Sequence, residues 1–151
     1  MENQFNWKSF VYDINNKSIS IVIGRDLSIL RLNKELFSNS DSYNDFTNAG
    51  KVEGEYLYIN LYKYLAIKMW SIHGDGTMPS PATINNVVLG LRRLNKSENV
   101  FYNFLKNEIN TLTDDQIMLE PFRKLVKISG FENFVTVNID NFLERAFKAE
   151  N

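Results

Sequence analysis

The sequence predicts an α/β fold, and three observations carry that reading. Two β-branched runs, Ser18-Ile19-Ser20-Ile21-Val22-Ile23-Gly24 and Phe134-Val135-Thr136-Val137-Asn138-Ile139, read as strands, because such side chains pack well on a pleated, half-buried surface. The chain between them carries apolar residues largely at helical spacing. Strands joined by a helical crossover pair in parallel, and ligands favour the crevice beyond their carboxyl ends. With 151 residues, 44% hydrophobic and 23% charged, the chain fits one soluble globular unit, 1–151.

Each element has its own local reason. Trp7, Phe10, Val11 and Ile14 line one helical face, with Asn6 as N-cap. The first strand ends near-continuously apolar, as a strand covered on both faces does. Residues 33 to 54 include Ser38-Asn39-Ser40-Asp41-Ser42, Gly50 and Gly54 and show no clear period, which predicts a long loop. From Tyr56 to Ile72, Leu57, Leu61, Leu65, Met69 and Ile72 keep helical spacing, and Tyr62, Ile67 and Trp70 widen the stripe, giving a buried core helix. Gly74-Asp75-Gly76-Thr77-Met78-Pro79 ends it. Ser80 then serves as N-cap and Pro81 as first residue of a helix carrying Ile84, Val87, Val88 and Leu91. Ser97 caps a third helix, striped by Phe101, Phe104, Leu105, Ile109 and Leu112, and Thr113-Asp114-Asp115-Gln116 fits a capping box for one more helical turn before Pro121. Phe122, Leu125 and Val126 carry the next helix, with Gly130 as its C-cap. After the second strand, Asp140 can cap a helix whose apolar face holds Phe142, Leu143, Ala146 and Phe147.

Composition excludes several functions. Seventeen basic residues against eighteen acidic ones leave a formal net charge of −1. Counterion release from a phosphate backbone therefore has no obvious source, and nucleic acid is not an expected partner. No apolar run approaches the roughly 18 residues that span a bilayer, and Met1-Glu2-Asn3-Gln4 lacks the layout of a signal peptide, so the expectation is a cytoplasmic protein without a membrane role. Absence of cysteine rules out disulfides, thiolate catalysis and cysteine zinc sites, and the single histidine, His73, cannot make a multi-histidine metal site. No metal is expected.

The informative polar residues stand at the two strand ends. In Gly24-Arg25-Asp26-Leu27-Ser28, backbone N–H groups or a following helix start could receive a phosphate, and Arg25 could neutralise it. Only Gly24 represents the several glycines of a dinucleotide fingerprint, so a plain turn with a solvated arginine is the alternative. At the other end, the Asn138 amide could hold a ribose hydroxyl or a water, and Asp140 could accept from another hydroxyl. The alternatives are a turn former for Asn138 and a helix N-cap for Asp140. His73, beside Gly74, suits helix capping or exposure better than catalysis. Arg92-Arg93 and Asp114-Asp115 read as solvated helix ends, and Trp7, Trp70 and the other aromatics as core. No nucleophile elbow or P-loop occurs, and no spacing singles out a carboxylate pair.

Taken together, these segments resemble the SIR2-like (sirtuin-type) NAD-binding family. Ile21-Val22-Ile23-Gly24-Arg25-Asp26-Leu27-Ser28 is similar to its first strand and phosphate loop, where sirtuins show Gly-Ala-Gly-Ile-Ser, and Thr136-Val137-Asn138-Ile139-Asp140 is similar to its Thr-Gln-Asn-Ile-Asp. A bacterial branch linked with anti-phage defence is closer still. It has text similar to Leu57-Tyr58 with Leu65-Ala66, to Ile84-Asn85-Asn86-Val87-Val88, and to Phe122-Arg123-Lys124-Leu125 running through Phe131-Glu132-Asn133-Phe134-Val135-Thr136 to Leu143-Glu144-Arg145-Ala146. The resemblance runs from about Ser18 to Phe147, and its specificity lies in the ordered set.

The resemblance implies a Rossmann-like parallel sheet with a helical crossover insertion, binding NAD. It implies Gly24, Asp26 and Ser28 near the phosphates and Asn138 and Asp140 near the nicotinamide ribose, with Arg25 and Thr136 also among the cofactor-binding residues and Asn138 as the catalytic residue. The implied reaction is hydrolysis of NAD+ to ADP-ribose and nicotinamide within a bacterial defence system, with further domains, subunits or a homo-oligomer as partners. That bond breaks through an oxocarbenium-like state, so the site must orient the ribose, exclude bulk solvent and hold a water close by. Two departures stand out. Arg25 and Asp26 replace the Ala and second Gly of the sirtuin loop, and the family's catalytic histidine follows the Asn-Ile-Asp segment, where this chain has none. The chain is therefore expected to be an incomplete, N-terminal part of a SIR2-like domain. The rival readings are a non-catalytic NAD- or nucleotide-sensing or interaction module, and an NAD-dependent protein deacylase, for which no four-cysteine module is present.

Overall fold

The structure is a computed structural model that describes residues 6–16, 19–38, 40–128, 131 and 133–150. Its elements in chain order are α1 (Trp7–Asn15), β1 (Ser20–Ile23), β2 (Ile29–Asn33), α2 (Tyr43–Ala49), β3 (Lys51–Glu53), β4 (Tyr56–Asn60) and α3 (Leu61–His73). There follow α4 (Ile84–Arg93), α5 (Glu98–Thr111), α6 (Glu120–Val126), β5 (Asn133–Thr136) and α7 (Phe142–Glu150). Ser18, the expected start of the first strand, Gly130, the expected C-cap, and Asn39 and Glu132 of the quoted segments lie outside the described residues. The architecture is mixed α/β, with a small parallel sheet and a small antiparallel one. No described helix is long and apolar enough to cross a membrane.

Backbone proximity divides the chain into two compact units, one made of Met1–Leu27 and Leu119–Asn151, the other of Ser28–Met118. No shift of composition marks the junctions. In the first unit β1 and β5 pair in parallel, in register from Ser20 with Asn133 to Ile23 with Thr136. Alternation puts Ile21, Ile23, Phe134 and Thr136 on one face. The Phe147 ring of α7 meets Phe134 edge-on at 5.3 Å. The other face is open: Val22 is 69% and Val135 48% exposed. The expectation of a strand covered on both faces is thus corrected, because among the described residues α7 meets one face while Val22 and Val135 leave the other exposed. β5 also stops at Thr136, and Val137 and Ile139 beyond it are exposed.

The core of this unit lies between α6 and α7, where Phe122 and Phe142, both fully buried, meet edge-to-face at 6.1 Å. Glu150 joins the two helices by ion pairs to Arg123 and to Lys127. Asn6 caps α1 as expected, accepting from the Ser9 amide at 3.1 Å. Its apolar stripe does not form core, however, since α1 has no buried residue and Trp7 is 68% exposed.

The second unit is built on the antiparallel order β2-β4-β3. Here the sequence reading of residues 33 to 60 is corrected. The expected long loop contains a 3-10 turn, α2 and β3, and the expected helix from Tyr56 begins only at Leu61. Tyr56-Leu57-Tyr58-Ile59-Asn60 alternates, burying Leu57 and Ile59 opposite Leu32 and Leu30 of β2. Leu57 and Leu61 lie four apart, so they satisfied a helical period that the strand did not follow. Asn60 marks the switch, its side chain accepting from the Tyr62 amide at 3.0 Å as N-cap of α3. β2 itself, with Leu30 and Leu32 buried and Arg31 exposed between them, was not anticipated. Gly54 opens the two-residue turn between β3 and β4 at φ +58°, where a side chain would be strained.

α3 buries Leu61, Tyr64, Leu65, Ala66, Ile67 and Met69, as a core helix should. α4 starts later than the sequence suggests: Thr83 caps it, accepting from the Asn86 amide at 3.2 Å, while the cis Ser80–Pro81 pair stays in the preceding turn. α5 follows Ser97 and buries Phe101, Phe104 and Ile109. Thr113 to Gln116 forms a turn rather than a helix, although half of the capping box is made, the Thr113 amide donating to Gln116 Oε1 at 3.1 Å. The chain leaves this turn extended because Ile117 bridges to Leu30 of β2.

Candidate functional site

The parallel pairing of β1 and β5 sets two corners of the sequence beside each other. The last paired residues are Ile23 and Thr136, so Gly24 and Asn138 emerge from the carboxyl ends of adjacent strands. The Asn138 Nδ2–H group donates to the Gly24 carbonyl at 3.4 Å, across 114 residues of sequence. The Asn138 backbone N–H donates to Thr136 Oγ1 at 3.1 Å, a local turn that holds the amide near the strand end. Asp140 accepts from the Phe142 amide at 3.2 Å, so it works as a cap at the start of α7. A Cβ placed on Gly24 would meet no atom within 4 Å, which leaves the approach to this backbone open.

The expected phosphate loop takes a different form. Arg25–Leu27 is a single 3-10 turn, both Arg25 and Asp26 are exposed, and the chain proceeds to a strand instead of an α-helix. A helix N-terminus aimed at an anion, which needs aligned peptide dipoles over several turns, does not follow β1. Asp26 adds a carboxylate to this turn. Ser28 is fully buried and belongs to the second unit, where its carbonyl accepts from the Leu61 amide at 2.7 Å. Gly24, Arg25, Asp26, Thr136, Asn138 and Asp140 thus all belong to the first unit, and Gly24, Thr136 and Asn138 are linked by the hydrogen bonds above.

His73 is the last residue of α3 in the second unit, and its ring packs edge-on against Phe104 at 5.9 Å. Among the described residues, no group of three or more acidic or histidine side chains is arranged to hold a metal ion.

The sequence reading missed a polar cluster in the second unit. Lys68 Nζ donates to Glu108 Oε2 at 2.6 Å and to the Tyr64 hydroxyl at 3.1 Å, and that hydroxyl donates to Glu108 Oε2 at 3.4 Å. Burial holds the Tyr64 phenol above its ordinary value of 10.0. For Lys68, burial acts to lower the ammonium, but the bonds to Glu108 and Tyr64 outweigh it and keep the value above 10.5. Tyr64 and Lys68 stand four apart on α3, a spacing legible in the sequence. Glu108 comes from α5, and no local pattern ties it to them.

No protein family, no curated protein and no solved structure matches the chain.

Proposed function

We propose that this chain carries the NAD-binding portion of a SIR2-like NAD+ hydrolase of bacterial anti-phage defence, on a Rossmann-like sheet. One observation carries the reading: the bond from Asn138 Nδ2 to the Gly24 carbonyl joins the two strand ends that bear the family-like segments. The residues suit the ribose end of a dinucleotide better than its phosphates. Asn138 offers an amide that donates to the Gly24 carbonyl, Thr136 holds its backbone N–H, and Gly24 leaves room for close approach. Arg25 supplies the positive charge of the turn, while Asp26 opposes an anion there. The chemistry assigned to the site is cleavage of the nicotinamide glycosidic bond by water, and the part of this chain is to orient the ribose and hold that water through Asn138. The exposed apolar residues on and beside the parallel sheet, Val22 and Val137 foremost, support work alongside further domains or subunits, or as a homo-oligomer.

One observation favours a second reading, binding of NAD or a related nucleotide without turnover. The only histidine belongs to the second unit and is engaged with Phe104. Calorimetric titration with NAD, together with chromatographic detection of nicotinamide, separates the two. Binding with release supports hydrolysis, binding without release supports sensing, and absence of both overturns the NAD reading.

A further inference from the structure

A cavity of about 380 Å3 lies within the second unit, against the Tyr64–Lys68–Glu108 cluster. That volume is at the small end of the range for small-molecule sites, about 300–1,000 Å3. Its wall combines an aromatic group and one ion pair. Phe37, Phe46 and Tyr64 pack together, with centroids 4.9 Å apart for the two phenylalanines and 5.8 Å for Phe46 and Tyr64. Among the described residues lining the cavity, Lys68 and Glu108 alone are charged, and their charges oppose each other. The Ser40 hydroxyl oxygen on the same wall is buried and bonds to no described group.

The hydrogen-bond inventory of the pair defines what it can recognise. An ammonium has three N–H groups, and Lys68 uses two of them, on Glu108 and on Tyr64. Glu108 accepts both of its described bonds on Oε2. One donor of Lys68 and one acceptor oxygen of Glu108, Oε1, are thus left for a ligand. A carboxylate meeting the spare Lys68 N–H would lie against the Glu108 carboxylate, and a cation meeting Oε1 against the Lys68 ammonium, so each charged ligand is opposed by a like charge. A neutral group presenting C=O and N–H together meets both without breaking the pair.

We propose that this cavity is a binding site for a small neutral aromatic molecule bearing a carboxamide or lactam edge, with Lys68 donating to its carbonyl and Glu108 accepting its N–H. The site lies wholly within Ser28–Met118, so it stands or falls independently of NAD binding at the ends of β1 and β5. The test is an amide-resolved NMR titration of the full chain with benzamide, benzoate and benzylamine, which share a ring and differ in the charge of the head group. Benzamide is expected to bind saturably, with shifts centred on Phe37 to Phe46, α3 and α5, and at least about tenfold more tightly than either charged probe. In Glu108→Gln, which leaves Lys68 uncompensated, the preference should move to benzoate; in Lys68→Met it should move to benzylamine. A merely structural ion pair would not exchange these preferences. No saturable benzamide binding, shifts outside this wall, or a probe order unchanged in both variants would overturn the proposal.

Discussion

Asn138→Ala separates a structural role from a chemical one, and the structure sets the expected size of each. The side chain donates to the Gly24 carbonyl, and at 3.4 Å that bond is long. An N–H···O bond of that length is weak, so its loss should cost no more than about 0.5 kcal/mol of stability. The bond from the Asn138 backbone amide to Thr136 Oγ1 survives the substitution, which preserves the turn. If the amide orients the ribose and holds the attacking water, removing it should slow nicotinamide release about 100-fold, as misplacing a reacting group by about 1 Å does. NAD affinity should fall by less than about tenfold, since the contact matters most at the top of the barrier. The assay pairs nicotinamide release with calorimetric NAD binding and thermal melting on the same preparation. Equal losses of turnover and affinity, or a drop of several degrees in melting temperature, would refute the argument.

Other predictions rest on packing and charge. At Gly50 a Cβ would stand 2.6 Å from the Tyr58 carbonyl oxygen and 2.7 Å from Leu57 Cδ1, so Gly50→Ala should destabilise the second unit by about 1–3 kcal/mol. Gly24→Ala, with nothing near the new methyl, should melt like the parent; urea unfolding compares the two. Phe122→Ala removes a fully buried ring that meets Phe142, and a loss of about 3–5 kcal/mol is expected, read by chemical denaturation and by weakened amide protection in α6 and α7. The folded state holds the Tyr64 and Lys68 protons more tightly than the unfolded chain does, so unfolding releases protons above their ordinary values of 10.0 and 10.5. Stability from this cluster is therefore complete below about pH 10 and declines as pH rises through the folded values. Tyr64→Phe, which removes the buried phenol and one of the bonds that raise Lys68, should flatten that alkaline decline, and a slope identical to the parent's would sink the assignment.

How much could be read from the sequence depended on how local the signal was. Asn6 and Asp140 were legible as helix caps because a cap joins a side chain to an amide two or three residues away. α5 was legible because one face meets the core, and α3 because apolar residues run round it, with Tyr64, Leu65, Ala66 and Ile67 buried in succession. The boundary between β4 and α3 was not, because Leu57 fits both the period of a strand and that of the following helix. Only pairing with Leu32 of β2 chose between them. β3 escaped for a related reason: as an edge strand with all three residues exposed, it carries no hydrophobic alternation.

By itself, the amino-acid order determined a mixed α/β chain with two β-branched runs, helices between them, and an Asn-Ile-Asp segment following the second run. Burial and strand pairing are properties of distant partners, and those the tertiary structure decided. It made Ser28 a buried residue of the second unit instead of part of an open loop, and it left Val22 uncovered although its neighbours are apolar. It also brought Glu108 from α5 to Lys68 on α3, forming an ion pair on a cavity wall whose members lie forty residues apart. The physical reason is common to all three: local spacing records which face of an element is apolar, whereas the free energy of burying that face depends on what the rest of the chain places against it.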